Sequence, residues 1–229
     1  MFSPYEKGIA PMSASDEFNV THGEFREGEN ELWQRILEAW GSMRASTSRL
    51  LAEKPSEGRL LFYVLLSDLI FFVSWSLKTL LYPGESAAGP VPVQMGYWLV
   101  IAMFFRTSCL YFFSMVIGSA ARLMGGHGDW QGTRAAVFWG ALVAAPLGLA
   151  MGILSVTISA FSIHLPFLAH PAIILAPYAL GLLPFVWFIS EGVAQVHGFR
   201  RFSGFFIVIS LICSIGALFG LYLKAQGSI

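Results

Sequence analysis

Five long apolar stretches, which begin only after some sixty polar residues, constrain this chain more than any other feature. They are Arg59–Leu81, Tyr97–Ala121, Ala135–Phe161, Pro171–Ser190 and Gly204–Leu223. Each is close to or above the ~20 residues with which an α-helix crosses ~30 Å of hydrocarbon. A mean hydropathy of +0.64 and a charged fraction of 12% agree with that reading. The spacing predicts an all-α polytopic membrane protein of five transmembrane helices, preceded by an N-terminal cytoplasmic amphipathic helix. Three regions follow: a tail over 1–28, an interfacial helix and linker over 29–58, and a transmembrane domain over 59–229.

The net charge is zero, yet ten of the fourteen acidic residues precede residue 60. An acid-rich arm offers no basic stripe for nucleic acid. Residues 1–28 lack the apolar core of a secretory signal, so the first span is expected to act as its own insertion signal. Cys109 and Cys213 fall inside spans without a CxxC or CxxCH setting, and buried small hydrophobes are the natural use for both.

Orientation follows from Lys and Arg in the short loops. Arg44, Arg49, Lys54 and Arg59 precede span one, Arg122 and Arg134 flank the second loop, and Arg200 and Arg201 sit in the fourth. The loops Pro83–Gly96 and His164–His170 hold neither residue, and only Lys224 counts the other way. The positive-inside rule then puts the N-terminus in the cytoplasm and the C-terminus outside. Tyr82, Tyr97, Trp98 and Tyr222 mark the outer interface, and Lys78 is close enough to snorkel towards it.

From about Glu29 the arm becomes helical in pattern. Leu32, Trp33, Ile36, Leu37, Trp40 and Met43 recur at three- and four-residue steps, opposite Glu31, Gln34, Arg35 and Glu38. That face either lies on the cytoplasmic leaflet or packs against the ends of the spans, and the two are compatible.

Two loops echo each other. Gly126-His127-Gly128-Asp129-Trp130 follows span two, and Val196-His197-Gly198-Phe199-Arg200 follows span four. Both fall on the cytoplasmic side, as a parallel repeat of helix hairpins requires. Glycine there can end a helix tightly by taking positive φ, so His127 and His197 read as polar loop residues. With Asp129 and Glu191 the nearest carboxylates, no metal site is expected.

The loop Gly125-Gly126-x-Gly128-Asp129-Trp130, a following span with Pro146, and Glu191-x5-His197-Gly198-Phe199-Arg200 carry a family resemblance. So does the arm feeding Arg49-Leu50-Leu51 into span one. Over roughly residues 30–225 the chain resembles the bacterial branch of the Yip family, five-pass membrane proteins related to eukaryotic Ypt/Rab-GTPase-interacting proteins. Asp129 stands where that pattern usually has a small residue. The resemblance implies five spans, a cytoplasmic N-terminus, a bacterial inner membrane and no catalytic residues.

Inside the spans, Asp68 and Arg106 are the ionisable groups deep in hydrocarbon. Each lies ~13 Å in at 1.5 Å per residue, from opposite faces, which brings them to similar depth. An isolated charge there costs ~2.5–3.5 kcal/mol, so pairing is expected. The pair either pins spans one and two together or belongs to a proton or ion path.

Span three carries Ala136, Gly140, Ala144, Gly148 and Gly152 at strict four-residue steps, a groove for close helix approach within the monomer or between copies. Span four holds Pro177 and Pro184, expected to kink or break it. No GxSxG, HExxH or P-loop is present, and no cofactor is implied. The leading expectation is a non-enzymatic scaffold or assembly protein, with the bilayer and a membrane-protein partner or second copy as its contacts. The alternative is a small transporter or channel built on Asp68 and Arg106.

Overall fold

The computed structural model describes residues 32–81, 91–162 and 164–225, all of whose regular elements are helical. The expected tail over 1–28 and Tyr82 lie outside the described residues, as do the side chains of Lys78, Trp98 and Tyr222. The helices are α1 over 32–41, α2 (Met43–Ala52), α3 (Glu57–Leu81), α4 (Val91–Leu123), α5 (Trp130–Phe161), α6 (Pro171–Val196) and α7 (Ser203–Ala225). A 3-10 turn, Pro166–Ala169, joins α5 to α6.

The five apolar stretches become the five long helices α3 to α7. Three of these contain described segments long and apolar enough to cross a membrane: Leu99–Leu123, Trp130–Phe161 and Ala176–Val196. Ser203–Gly216 adds a shorter apolar helix. α6 continues as one helix through Pro177 and Pro184, so of the expected kink or break it shows no break.

α5 is the central helix, with α3, α4 and α6 packed on it and α7 against α6. Its sequence is apolar or small on every side from Ala135 to Ala144, and every one of those residues is buried. A helix hydrophobic all round needs cover on all sides. The last side is covered by α1 and α2. Trp139, fully buried, packs at a tilt against Tyr63 with ring centroids 5.2 Å apart. Its indole N–H donates to Ser46 Oγ of α2 at 3.0 Å, which removes the penalty for burying that donor.

The arm departs from the one amphipathic helix followed by a linker expected over 29–58: two helices are described, α1 over 32–41 and α2. Gly41, a poor helix former, and Ser42, at φ −155° and ψ 85°, end α1 and turn the chain back on itself. Arg35 pairs with Glu53 at 2.9 Å and Arg49 with Glu38 at 2.8 Å, which ties α1 and α2 into an antiparallel hairpin. That hairpin stands along α5. Its Trp40 indole donates to the Val143 carbonyl at 2.9 Å, ~20 Å along α5 from Trp130 at 1.5 Å per residue. Val143 adjoins Leu142, the carbonyl that Pro146 leaves without its usual helical donor.

Candidate functional site

Three groups of polar residues stand out in the bundle. The deepest joins α3 to α4. Arg106 Nη1 donates to Ser67 Oγ at 2.9 Å and to Asp68 Oδ1, and Thr107 Oγ1 donates to Asp68 Oδ2 at 2.7 Å. Asp68 has a side chain only 1% exposed, so both of its oxygens must find donors inside the protein, and both do. Ser67 and Thr107 are partners that depth arithmetic on charges alone could not name.

The second group lies at the end of the bundle that carries the hairpin, where the two echoing loops meet. α4 and α6 finish with the same backbone device. Gly125 (φ +89°) and Gly198 (φ +74°) take the left-handed conformation that glycine adopts without a Cβ clash. The next N–H in each case reaches back five residues, Gly126 to Ala121 at 2.9 Å and Phe199 to Ala194 at 2.8 Å. Gly125 and Gly198 themselves reach back three residues, which completes a Schellman cap in both loops. The two helices thus stop alike, but three residues out of register with the sequence echo: the stop matches Gly125 to Gly198, whereas the echo pairs Gly128 with Gly198.

The loops then interlock. His197 is 2% exposed, with Nδ1 accepting from the Gly128 N–H at 3.2 Å and Nε2 set 2.9 Å from Thr133 Oγ1. Thr133 Oγ1 in turn donates to the Asp129 carbonyl at 2.8 Å, which leaves its lone pairs to accept from Nε2–H. This network assigns the neutral tautomer with its proton on Nε2. A Cβ at Gly126 would lie 2.7 Å from His197 Nδ1, and one at Gly128 would lie 2.7 Å from Val196 Cγ1. Both glycines are therefore needed for the loops to touch. His127, which shares with His197 only the glycine that follows it, is exposed. Asp129 caps α5 by accepting from the Gly132 N–H at 2.8 Å, which gives the departure from the small-residue pattern a structural use.

Burial pushes the pKa of His197 below the ordinary 6.5, and the positive Arg122 adds to that while Asp129 opposes it. The folded state thus prefers the neutral ring. Its contribution is complete above pH 6.5 and is lost as pH falls from there through the lower folded value. The melting temperature is expected to drop on acidification from pH 7.5 to 5.5, and by less in His197→Asn, which keeps an acceptor but cannot titrate. Equal pH dependence in the two proteins would assign the acid sensitivity elsewhere.

The third group fixes the arm and the loops to one end of the bundle. Arg44 Nη1 donates to the Phe199 carbonyl at 3.3 Å, Arg134 pairs with Glu57, and Gln131 Nε2 donates to the Pro55 carbonyl at 3.2 Å. A Yip1-domain family model matches residues 40–223, from the hairpin tip almost to the end of α7. The chain belongs to the Yip1 family. No curated protein and no solved structure matches it.

In this Yip1 chain the small-residue column of α5 divides its work. Ala136 and Gly140 receive α6, where a Cβ on Gly140 would stand 2.9 Å from Ile189 Cγ1 and 3.1 Å from its backbone N. Gly152 faces α3, where Ser74 Oγ leaves no room for a Cβ. Ala144 is buried at 4% exposure, and Gly148 has nothing among the described residues within 4 Å of a Cβ placed there. The column is thus used inside the monomer, and it leaves an opening at Gly148.

The arm residues separate too. Ile36 is buried against the bundle at 4% exposure, whereas Trp33, Leu37 and Trp40 are 52%, 43% and 37% exposed. Spaced i, i+4 and i+7, these three form one stripe beside the buried face, with Gln34 and Glu38 on the polar side. Three- and four-residue spacing suits either face equally, so sequence alone could not divide them.

Proposed function

We propose that this Yip1-family protein is a five-pass, non-enzymatic scaffold of a bacterial inner membrane, whose N-terminal hairpin engages a membrane-protein partner. The carrying observation is the exposed Trp33/Leu37/Trp40 stripe on a helix already fixed to the bundle by its neighbouring face. Apolar rings held rigidly on a packed helix lose little side-chain entropy on binding, which is what an interface anchor requires. Helices of 23 to 33 residues at α3 to α7 are long enough for five passes. Contacts made by Arg44, Arg49 and Arg134 with the arm and the loops gather basic residues at the hairpin end, which supports a cytoplasmic N-terminus and an outside C-terminus.

A proton or ion path through Asp68 is disfavoured by its surroundings. Both carboxylate oxygens are engaged and the side chain is sealed. The pair acts as a pin between α3 and α4.

The test is photo-crosslinking in native membranes from a benzoylphenylalanine placed at Trp33, Leu37 or, as control, Gln34. A discrete protein adduct from positions 33 and 37, absent from 34, is the expected result, and an adduct of twice the chain mass makes the partner a second copy. Lipid adducts alone at 33 and 37 would overturn the scaffold reading and leave the stripe as a membrane anchor.

A further inference from the structure

Between α3, α5 and α6, with Arg106 of α4 on its wall, lies a cavity of about 380 Å³. That is within the usual size range of small-molecule sites. Phe71, Gly148, Leu149, Pro177 and Phe185 are among its lining, and Arg106 alone of the described lining residues is charged. The gap opens where the α5 column carries Gly148, flanked by glycines in close contact with α6 and α3. Neighbouring helices are therefore near enough to close it, yet no described side chain fills it.

The chemistry of the wall narrows the occupant. A guanidinium has five N–H donors, and the described bonds of Arg106 to Ser67 and Asp68 all use Nη1. The Phe71 ring centroid lies 5.1 Å from its Cζ and covers one face. Asp68 already neutralises the positive charge, so the wall offers hydrogen-bond donors without net charge. An anion would bring an uncompensated charge into an apolar site, whereas a neutral carbonyl oxygen meets the donors without that penalty. The rest of the lining asks for hydrocarbon, and the helices around it lie in a bilayer made of acyl chains.

We infer that this cavity binds a neutral single-chain lipid, its ester carbonyl on the Arg106 guanidinium and its acyl chain along Gly148 and α6. The site is separate from the hairpin stripe and does not depend on a scaffold role.

The experiment uses the full-length protein in nanodiscs with three probes of equal chain length, each carrying a diazirine in the chain: a monoacylglycerol, an alkyl sulfate and a plain alkane. Labelled residues are mapped by peptide mass spectrometry. The monoacylglycerol is expected to label residues 141–152 and 177–185 about tenfold more than the sulfate does, equivalent to about 1.4 kcal/mol of preference. Gly148→Leu places a side chain in the open space while keeping Asp68 and Arg106. It is expected to cut that labelling about tenfold with no fall in melting temperature. Equal labelling of wild type and Gly148→Leu would reduce the signal to general lipid contact and overturn the site. Sulfate labelling as strong as that of the monoacylglycerol would overturn the neutral headgroup, and alkane labelling as strong would remove the ester hydrogen bond.

Discussion

Arg106→Leu is expected to destabilise the protein by about 3–5 kcal/mol, because it strands a buried carboxylate. Asp68 is sealed at 1% side-chain exposure, and without Arg106 its remaining described side-chain donor is Thr107, at 2.7 Å. The carboxylate must then stay charged in an apolar setting or take up a proton, and either outcome weakens the fold. Asp68→Asn is expected to be milder, because Arg106, at 23% side-chain exposure, keeps Ser67 and borders a cavity. The double variant Asp68→Leu/Arg106→Leu removes both charges together. It is expected to recover most of the loss, since a buried ion pair is often no more stabilising than apolar residues of similar size. Unfolding in nanodiscs measured for all four proteins gives the coupling directly. A double variant as unstable as Arg106→Leu would show that the charges serve something other than each other.

The long helices and the meeting of Asp68 with Arg106 were legible because each depends on one local quantity. Apolar length fixes where a chain can be helical in lipid, and the rise per residue fixes the depth of a charge. Features that depend on what a neighbouring element does were not legible. His127 and His197 each precede a glycine, yet only the second is enclosed, because the Gly126 and Gly128 backbone leaves space for its ring. The hairpin turn at Gly41-Ser42 lies inside an apolar pattern that continues from Trp40 to Met43, so periodicity ran straight through it. The cavity has no sequence signal at all. Gly148 is in perfect step with Gly140 and Gly152, and only the paths of α3 and α6 decide which glycine has a neighbour.

That division of the α5 column yields the second large effect. Gly140→Leu is expected to prevent the native approach of α5 and α6, and the reason lies in which atoms stand nearest. A Cβ at Gly140 would be 2.9 Å from Ile189 Cγ1, 3.1 Å from its N and 3.2 Å from its Cα. A side chain can rotate away, but the backbone contacts yield only if α6 itself moves. α6 is held nearby by a second close approach, where a Cβ on Gly192 would lie 3.3 Å from that of Ala136. Overpacking of this kind costs about 1–3 kcal/mol where side chains can adjust, and the upper end or more is expected here. Gly140→Ala adds only the Cβ, whose crowding is partly offset by the ~1 kcal/mol advantage of alanine over glycine in a helix. It should fold with a modest loss. Gly216→Leu, where nothing among the described residues lies within 4 Å, should be close to neutral and controls for the bulk of leucine itself. Detergent-resistant folding of Gly140→Leu at the wild-type melting temperature would mean that α5 and α6 do not pack at this spacing.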